Sequence, residues 1–126
     1  MPYVIRVDEA RHVVMVEAIG NIDAATATPM VTEARATAAG RGFDILYDFR
    51  GAVPGDIKTG DLFWFPRRIP ALAKPEARRV RIALIYPEPQ REFARFWETT
   101  FQNAGLRARA FDDEASAFAW LGEARE

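Results

Sequence analysis

The chain has no cysteine, which excludes disulfides, thiolate nucleophiles and cysteine-based metal sites and fits a reducing compartment. It has one histidine, His12. That residue stands at the start of a strand beside a hairpin turn, at the opposite end from where α/β sheets hold their ligands. No motif supplies the nucleophile and orienting acid that a general base needs, so His12 is expected to be solvated or packed, and no catalytic residue is assigned. An excess of either charge is also missing: 17 Lys+Arg against 18 Asp+Glu leave a net charge of −1, with no overall field to draw nucleic acid or an anionic membrane. There is neither a Walker loop nor a dinucleotide glycine fingerprint, and no cofactor is expected. No apolar run approaches 18 residues, and residues 1–6 lack a signal peptide's apolar stretch, so a cytoplasmic location is expected. Nor is there a repeat, linker or low-complexity tract, so the 126 residues are read as one domain, 1–126.

What is present is a regular alternation of elements. Residues 3–7 and 12–19 are β-branched runs separated by Asp8-Glu9-Ala10-Arg11, the pattern of an antiparallel hairpin. Val13-Val14-Met15-Val16 offers apolar groups to both faces, which predicts a central strand covered on both sides. Met30, Val31, Ala34 and Ala38 at helical spacing predict a helix over 29–39, stopped by Gly40 and Gly42. Residues 43–49 form a second interior-type strand, closed by a turn signal over 50–55. Residues 79–86 form another strand. Phe93, Phe96, Trp97, Thr100, Phe101 and Ala104 then trace the clearest helix, with Glu88/Arg91 and Glu92/Arg95 as its expected surface pairs. Residues 106–111 alternate small apolar side chains with Arg107 and Arg109, as a strand with one wet face does. Asp112 or Asp113 caps a last helix that docks through Ala117, Trp120 and Leu121. The order demands a mainly parallel sheet with crossover helices.

Three short motifs in this order carry a resemblance: Gly20-Asn21-Ile22-Asp23 before a helix, a strand ending Ile45-Leu46-Tyr47-Asp48-Phe49-Arg50-Gly51, and a closing stretch from Phe111-Asp112-Asp113 to Ala119-Trp120-Leu121. Together they resemble the SpoIIAA-like, or STAS, domain family along nearly the whole chain. The resemblance implies an α/β fold with a five-stranded, mostly parallel mixed sheet, an N-terminal antiparallel hairpin and about four helices. It also implies a regulatory or binding module, such as an anti-sigma-factor antagonist, with an architecture related to CRAL-TRIO lipid-binding domains. Asp23, Asp48 and Arg50 are the family-like loop positions. In the antagonist branch a serine in an Asp-Ser-Ser-Gly-Leu loop is phosphorylated. Here the comparable stretch is Asp56-Ile57-Lys58-Thr59-Gly60-Asp61-Leu62, with Lys58 in the switch position, Thr59 next to it, and the only serine at Ser116. Thr59 is thus the candidate phosphosite, set against an ordinary role as a helix N-cap. Asp23 and Asp48 suggest paired carboxylates or a Mg²⁺ site, but no metal-ligand spacing supports a metal, and turn or cap roles are expected.

The segment Gly60-Asp61-Leu62-Phe63-Trp64-Phe65-Pro66-Arg67-Arg68-Ile69-Pro70 holds the strongest binding signal. Helical rings at three successive positions span roughly 200°, wider than an apolar stripe, so at least one ring faces outward. Pro66 is a residue a helix does not easily absorb. Phe63, Trp64, Phe65 and Ile69 are candidates to line a pocket for an apolar or amphipathic small molecule, with Arg67 or Arg68 meeting an acidic head. Alternatively they form an interface with a regulatory protein or a second copy of the chain, or pack in the core. Arg67, Arg68, Lys74, Arg78, Arg79 and Arg81 invite a phosphate-binding reading, but no aromatic stacking platform is interleaved with them, so no nucleic-acid partner is expected.

Overall fold

The two N-terminal runs form β1 (Tyr3–Asp8) and β2 (Val13–Asn21), paired antiparallel with Tyr3 opposite Ala18 and Asp8 opposite Val13. In the turn the Asp8 carboxylate accepts the Arg11 N–H at 3.1 Å, while His12 adopts a left-handed φ of 58° and stacks on Phe43 at 5.0 Å. The computed structural model describes residues 2–55 and 57–123, apart from the side chain of Thr59.

Helix α1 (Ala24–Ala39) starts at Ala24 rather than at residue 29, because Asp23 is its N-cap and accepts the Thr26 N–H at 2.8 Å. Strand β3 (Asp44–Val53) runs through most of the stretch read as a turn. It can do so because β2 continues beside it, Gly20 opposite Ala52 and Asn21 opposite Val53. A bulge absorbs one extra residue: Glu17 faces Asp48 and Ile19 faces Gly51, so Phe49 and Arg50 together oppose Ala18. Next come α2 (Thr59–Arg68) and the short α3 (Pro70–Ala73), a fifth helix that the sequence pattern did not announce. A 3₁₀ turn over Pro75–Arg79 delays β4 (Arg81–Ile85), whose first N–H is held by the Asp44 carboxylate at 2.9 Å. Helix α4 (Arg91–Asn103) carries the expected Arg91–Glu88 pair at 3.0 Å, but Arg95 turns to Glu98 instead of Glu92. Glu98 is already anchored there, since its carboxylate accepts the Ala110 N–H at 2.7 Å. Strand β5 (Arg107–Phe111) and α5 (Glu114–Leu121) follow, with Asp113 capping α5 through the Ser116 N–H at 2.6 Å.

The sheet order is β1-β2-β3-β4-β5, antiparallel between β1 and β2 and parallel elsewhere. Each crossover adds its strand on the same side of the last one, so right-handed connections must lay their helices on one face. The core follows that rule. Val14 and Val16, Ile45, Tyr47 and Phe49, Ile82 and Leu84 pack against α1 to α4, whereas Val13, Leu46, Ala83 and Ile85 meet α5 on the other face. The second face is only partly roofed. Val13 is buried under α5, but Glu17 and Ile19 further along β2 reach water, so β2 is covered on both sides at its start and not at its end.

Candidate functional site

Helix α2 divides the aromatic segment by side. Leu62, Phe65, Pro66 and Ile69 recur at i, i+3, i+4 and i+7 and turn inward, while Phe63, Trp64, Arg67 and Arg68 face out. Pro66 lies within the helix and belongs to this inward stripe. The helix begins on Lys58, whose N–H is accepted by the Asp61 carboxylate at 3.0 Å. Lys58, not Thr59, therefore occupies the N-cap position, and Thr59 is the first helical residue; its side chain, and with it the candidate phosphosite, lies outside the described residues.

Beneath α2 and α3, against the four-helix face of the sheet, is an apolar chamber of about 30 Å³. Its wall includes Ala27, Met30 and Val31 of α1, Leu62 and Phe65 of α2, Leu72 of α3, and Phe93, Trp97 and Phe101 of α4, with Tyr47 and Leu84 forming part of the floor. Of the three consecutive rings only Phe65 reaches it. Phe63 and Trp64 are 41% and 45% exposed and meet edge to face at 5.1 Å. The Arg67 guanidinium lies 4.0 Å from the Phe63 ring and that of Arg68 4.6 Å from Trp64. Arg67 also donates to the Phe63 carbonyl and, at 3.2 Å, to the hydroxyl of Thr100. Ile69 is buried in the four-helix core and links α2 to α3.

The charge on the chamber wall comes from Arg35, a residue the sequence reading passed over. It is 5% exposed, and its Nη1 donates to the Ala77 carbonyl at 3.2 Å, while Nε and Nη2 have no hydrogen-bond partner among the described residues. Burial disfavours its charged form and lowers its pKa, with the nearby Tyr47 pulling the other way. Burial pushes the Tyr47 phenol up to about 12, against the pull of Arg35. One signal was available: α1 buries Ala27, Met30, Val31, Ala34, Arg35 and Ala38, so an arginine stands in an apolar stripe.

The family-like positions lie apart from this chamber and have local partners. Asp23 caps α1, and its carboxyl is held below the ordinary value by the hydrogen bonds from Thr26. Asp48, 18% exposed, is gripped by Arg50: Nε reaches Oδ1 at 3.0 Å and Nη2 reaches Oδ2 at 2.8 Å. Partial burial pushes the Asp48 carboxyl up, but the side-chain and backbone hydrogen bonds and the charge of Arg50 together outweigh it, so the net shift is downward. Arg50 also reaches Glu114 of α5 at 3.3 Å and lines an open groove with Gly20, Asn21 and Pro87 at the ends of the strands. The basic cluster is divided as well. Arg81 is buried and donates to the carbonyls of Trp120 and Glu123 beneath α5, away from Arg67 and Arg68 on α2. Among the described residues no group of three or more His, Asp or Glu side chains stands together as a metal site, and no helix is long and apolar enough to cross a membrane.

No protein-family model matches the chain, and no curated protein matches it. Among solved structures it is similar to an uncharacterised protein of the DUF3478 family, with a SpoIIAA-like fold, from Shewanella loihica PV-4. The two share 17% sequence identity and a TM-score of 0.57, over 94% of this chain and 91% of that one. The architecture is thus that of the SpoIIAA-like α/β domains, as the motif order along the chain implied.

Proposed function

We propose that the protein is a non-enzymatic binding domain that takes up an apolar small molecule between α2–α3 and the sheet. The observation that carries this reading is the chamber itself: aliphatic and aromatic side chains from α1, α2, α3 and α4 converge on one space above the sheet, and a member of the aromatic segment, Phe65, lies on its wall. At about 30 Å³ the space is well below the roughly 150 Å³ of a cavity that admits benzene and the roughly 300–1,000 Å³ of typical ligand pockets. Binding therefore requires the α2–α3 cover to move outward. The cover is suited to this, being two short helices joined at the non-helical Ile69 and seated through apolar contacts that a ligand's own apolar surface replaces, with the Arg67–Thr100 hydrogen bond as a polar tie to α4. Native mass spectrometry of freshly purified protein tests the proposal: an added mass that is lost on organic extraction and regained with a medium-chain lipid supports it, and a spectrum that stays at the bare polypeptide mass under both conditions contradicts it.

A second reading rests on the outer side of the same helix. Phe63 and Trp64, exposed and each faced by an arginine, form a ridge of the residue types enriched at interface centres. It suits a regulatory protein partner or a second copy of the chain.

A further inference from the structure

Within the chamber reading just given, on which this step rests, the unpaired side of Arg35 specifies the ligand's polar end. A guanidinium presents Nε–H and Nη2–H side by side, in the spacing of the two oxygens of a carboxylate. This protein uses that pair of atoms twice on its surface: Arg50 Nε and Nη2 hold Asp48 at 3.0 and 2.8 Å, and Arg91 Nε and Nη2 hold Glu88 at 3.1 and 3.0 Å. On Arg35 the same two atoms are buried and have no partner among the described residues, while Nη1, the third nitrogen, is committed to the Ala77 carbonyl. We infer that Arg35 anchors the carboxylate of an amphipathic monoanion, a medium-chain carboxylic acid in chemical class, whose apolar body lies against Met30, Phe65, Leu72 and Trp97.

Charge balance favours a monoanion. One carboxylate brings the enclosed pair to zero, whereas a phosphate monoester dianion leaves a net negative charge in an apolar surround. Hydrogen-bond balance points the same way, since a carboxylate satisfies both unpaired donors at once and an alcohol's single oxygen does not reproduce the fork.

Titration of the intact chain with decanoate and with decanol at pH 8, followed by calorimetry, tests the assignment in wild type, Arg35→Met and Arg35→Lys. The expected result is decanoate binding at least tenfold more tightly than decanol in wild type. Arg35→Met levels the two to within about twofold, and Arg35→Lys keeps the charge but not the fork and retains part of the preference. Circular dichroism checks that both variants are folded, and the Lys variant keeps the question answerable if the Met variant is not. Equal wild-type affinity for acid and alcohol, or a preference that survives in Arg35→Met, overturns the anchor while leaving the apolar chamber in place. Binding of neither molecule overturns both.

Discussion

At the scale of single residues, the chamber's chemistry rests on two groups that burial drives away from their charged forms, Arg35 and Tyr47. Tyr47 offers the cleaner measurement. Its phenol ionises near 10.0 in the unfolded chain and at about 12 in the fold. The folded state therefore favours the neutral phenol, and the resulting stability is fully present below pH 10 and is lost as pH rises from there toward 12. Tyr47→Phe cannot ionise, so its stability should fall less steeply than wild type across that window in urea unfolding followed by circular dichroism; parallel curves would contradict the burial of this hydroxyl. Residue-scale features were unevenly legible in the sequence. Asp23 and Asp113 were readable as turn and cap residues because a cap is a local motif, spaced three residues from the N–H it accepts. Arg35 was legible only as an arginine in the apolar stripe of α1; that its Nη1 is tied to Ala77 while Nε and Nη2 are left without partners among the described residues depends on elements distant in sequence.

At the scale of elements, α2 decides how the aromatic segment is used. Its inward stripe of Leu62, Phe65, Pro66 and Ile69 joins the core and its outward ridge of Phe63, Trp64, Arg67 and Arg68 does not, so the two sides should respond oppositely to substitution. Ile69→Ala removes a buried side chain and should cost about 2–5 kcal/mol by chemical unfolding. Phe63→Ser with Trp64→Ser should stay within about 0.5 kcal/mol per site, as exposed positions do. If the ridge is a homodimer contact, the double variant also lowers the sedimentation coefficient at high protein concentration; an unchanged value leaves a different partner or none for that face. The width of the three-ring arc was enough to indicate that a ring must face water. It did not say which one, because the segment continues as helix through Pro66 to Arg68, and that proline reads from the sequence as a breaker. The turn assigned to residues 50–55 failed for a related reason: Gly51 looks like a turn residue, but the continuation of β2 to Asn21 supplies a ladder that keeps residues 50–53 in the sheet.

At the scale of the whole molecule, handedness explains why a chamber exists where it does. Three crossovers that advance in one direction place four helices on one face and leave the other to α5. On that crowded face α1 and α4 are continuous helices, whereas the crossover between β3 and β4 is broken at Ile69 into α2 and the four-residue α3, and the chamber lies beneath the broken pair. The mainly parallel sheet with its N-terminal hairpin was legible because the alternation of strand and helix admits few topologies. The chamber was not, since it lies at the junction of elements far apart in sequence. The most direct test of the account is a two-dimensional NMR titration of the isotopically labelled protein with decanoate. Saturable shifts are expected to concentrate on Ala27, Met30, Arg35, Leu62, Phe65, Leu72 and Trp97, with the surface pair Phe63 and Trp64 moving less. Shifts confined to the outer ridge of α2, or none at saturating concentration, would contradict it.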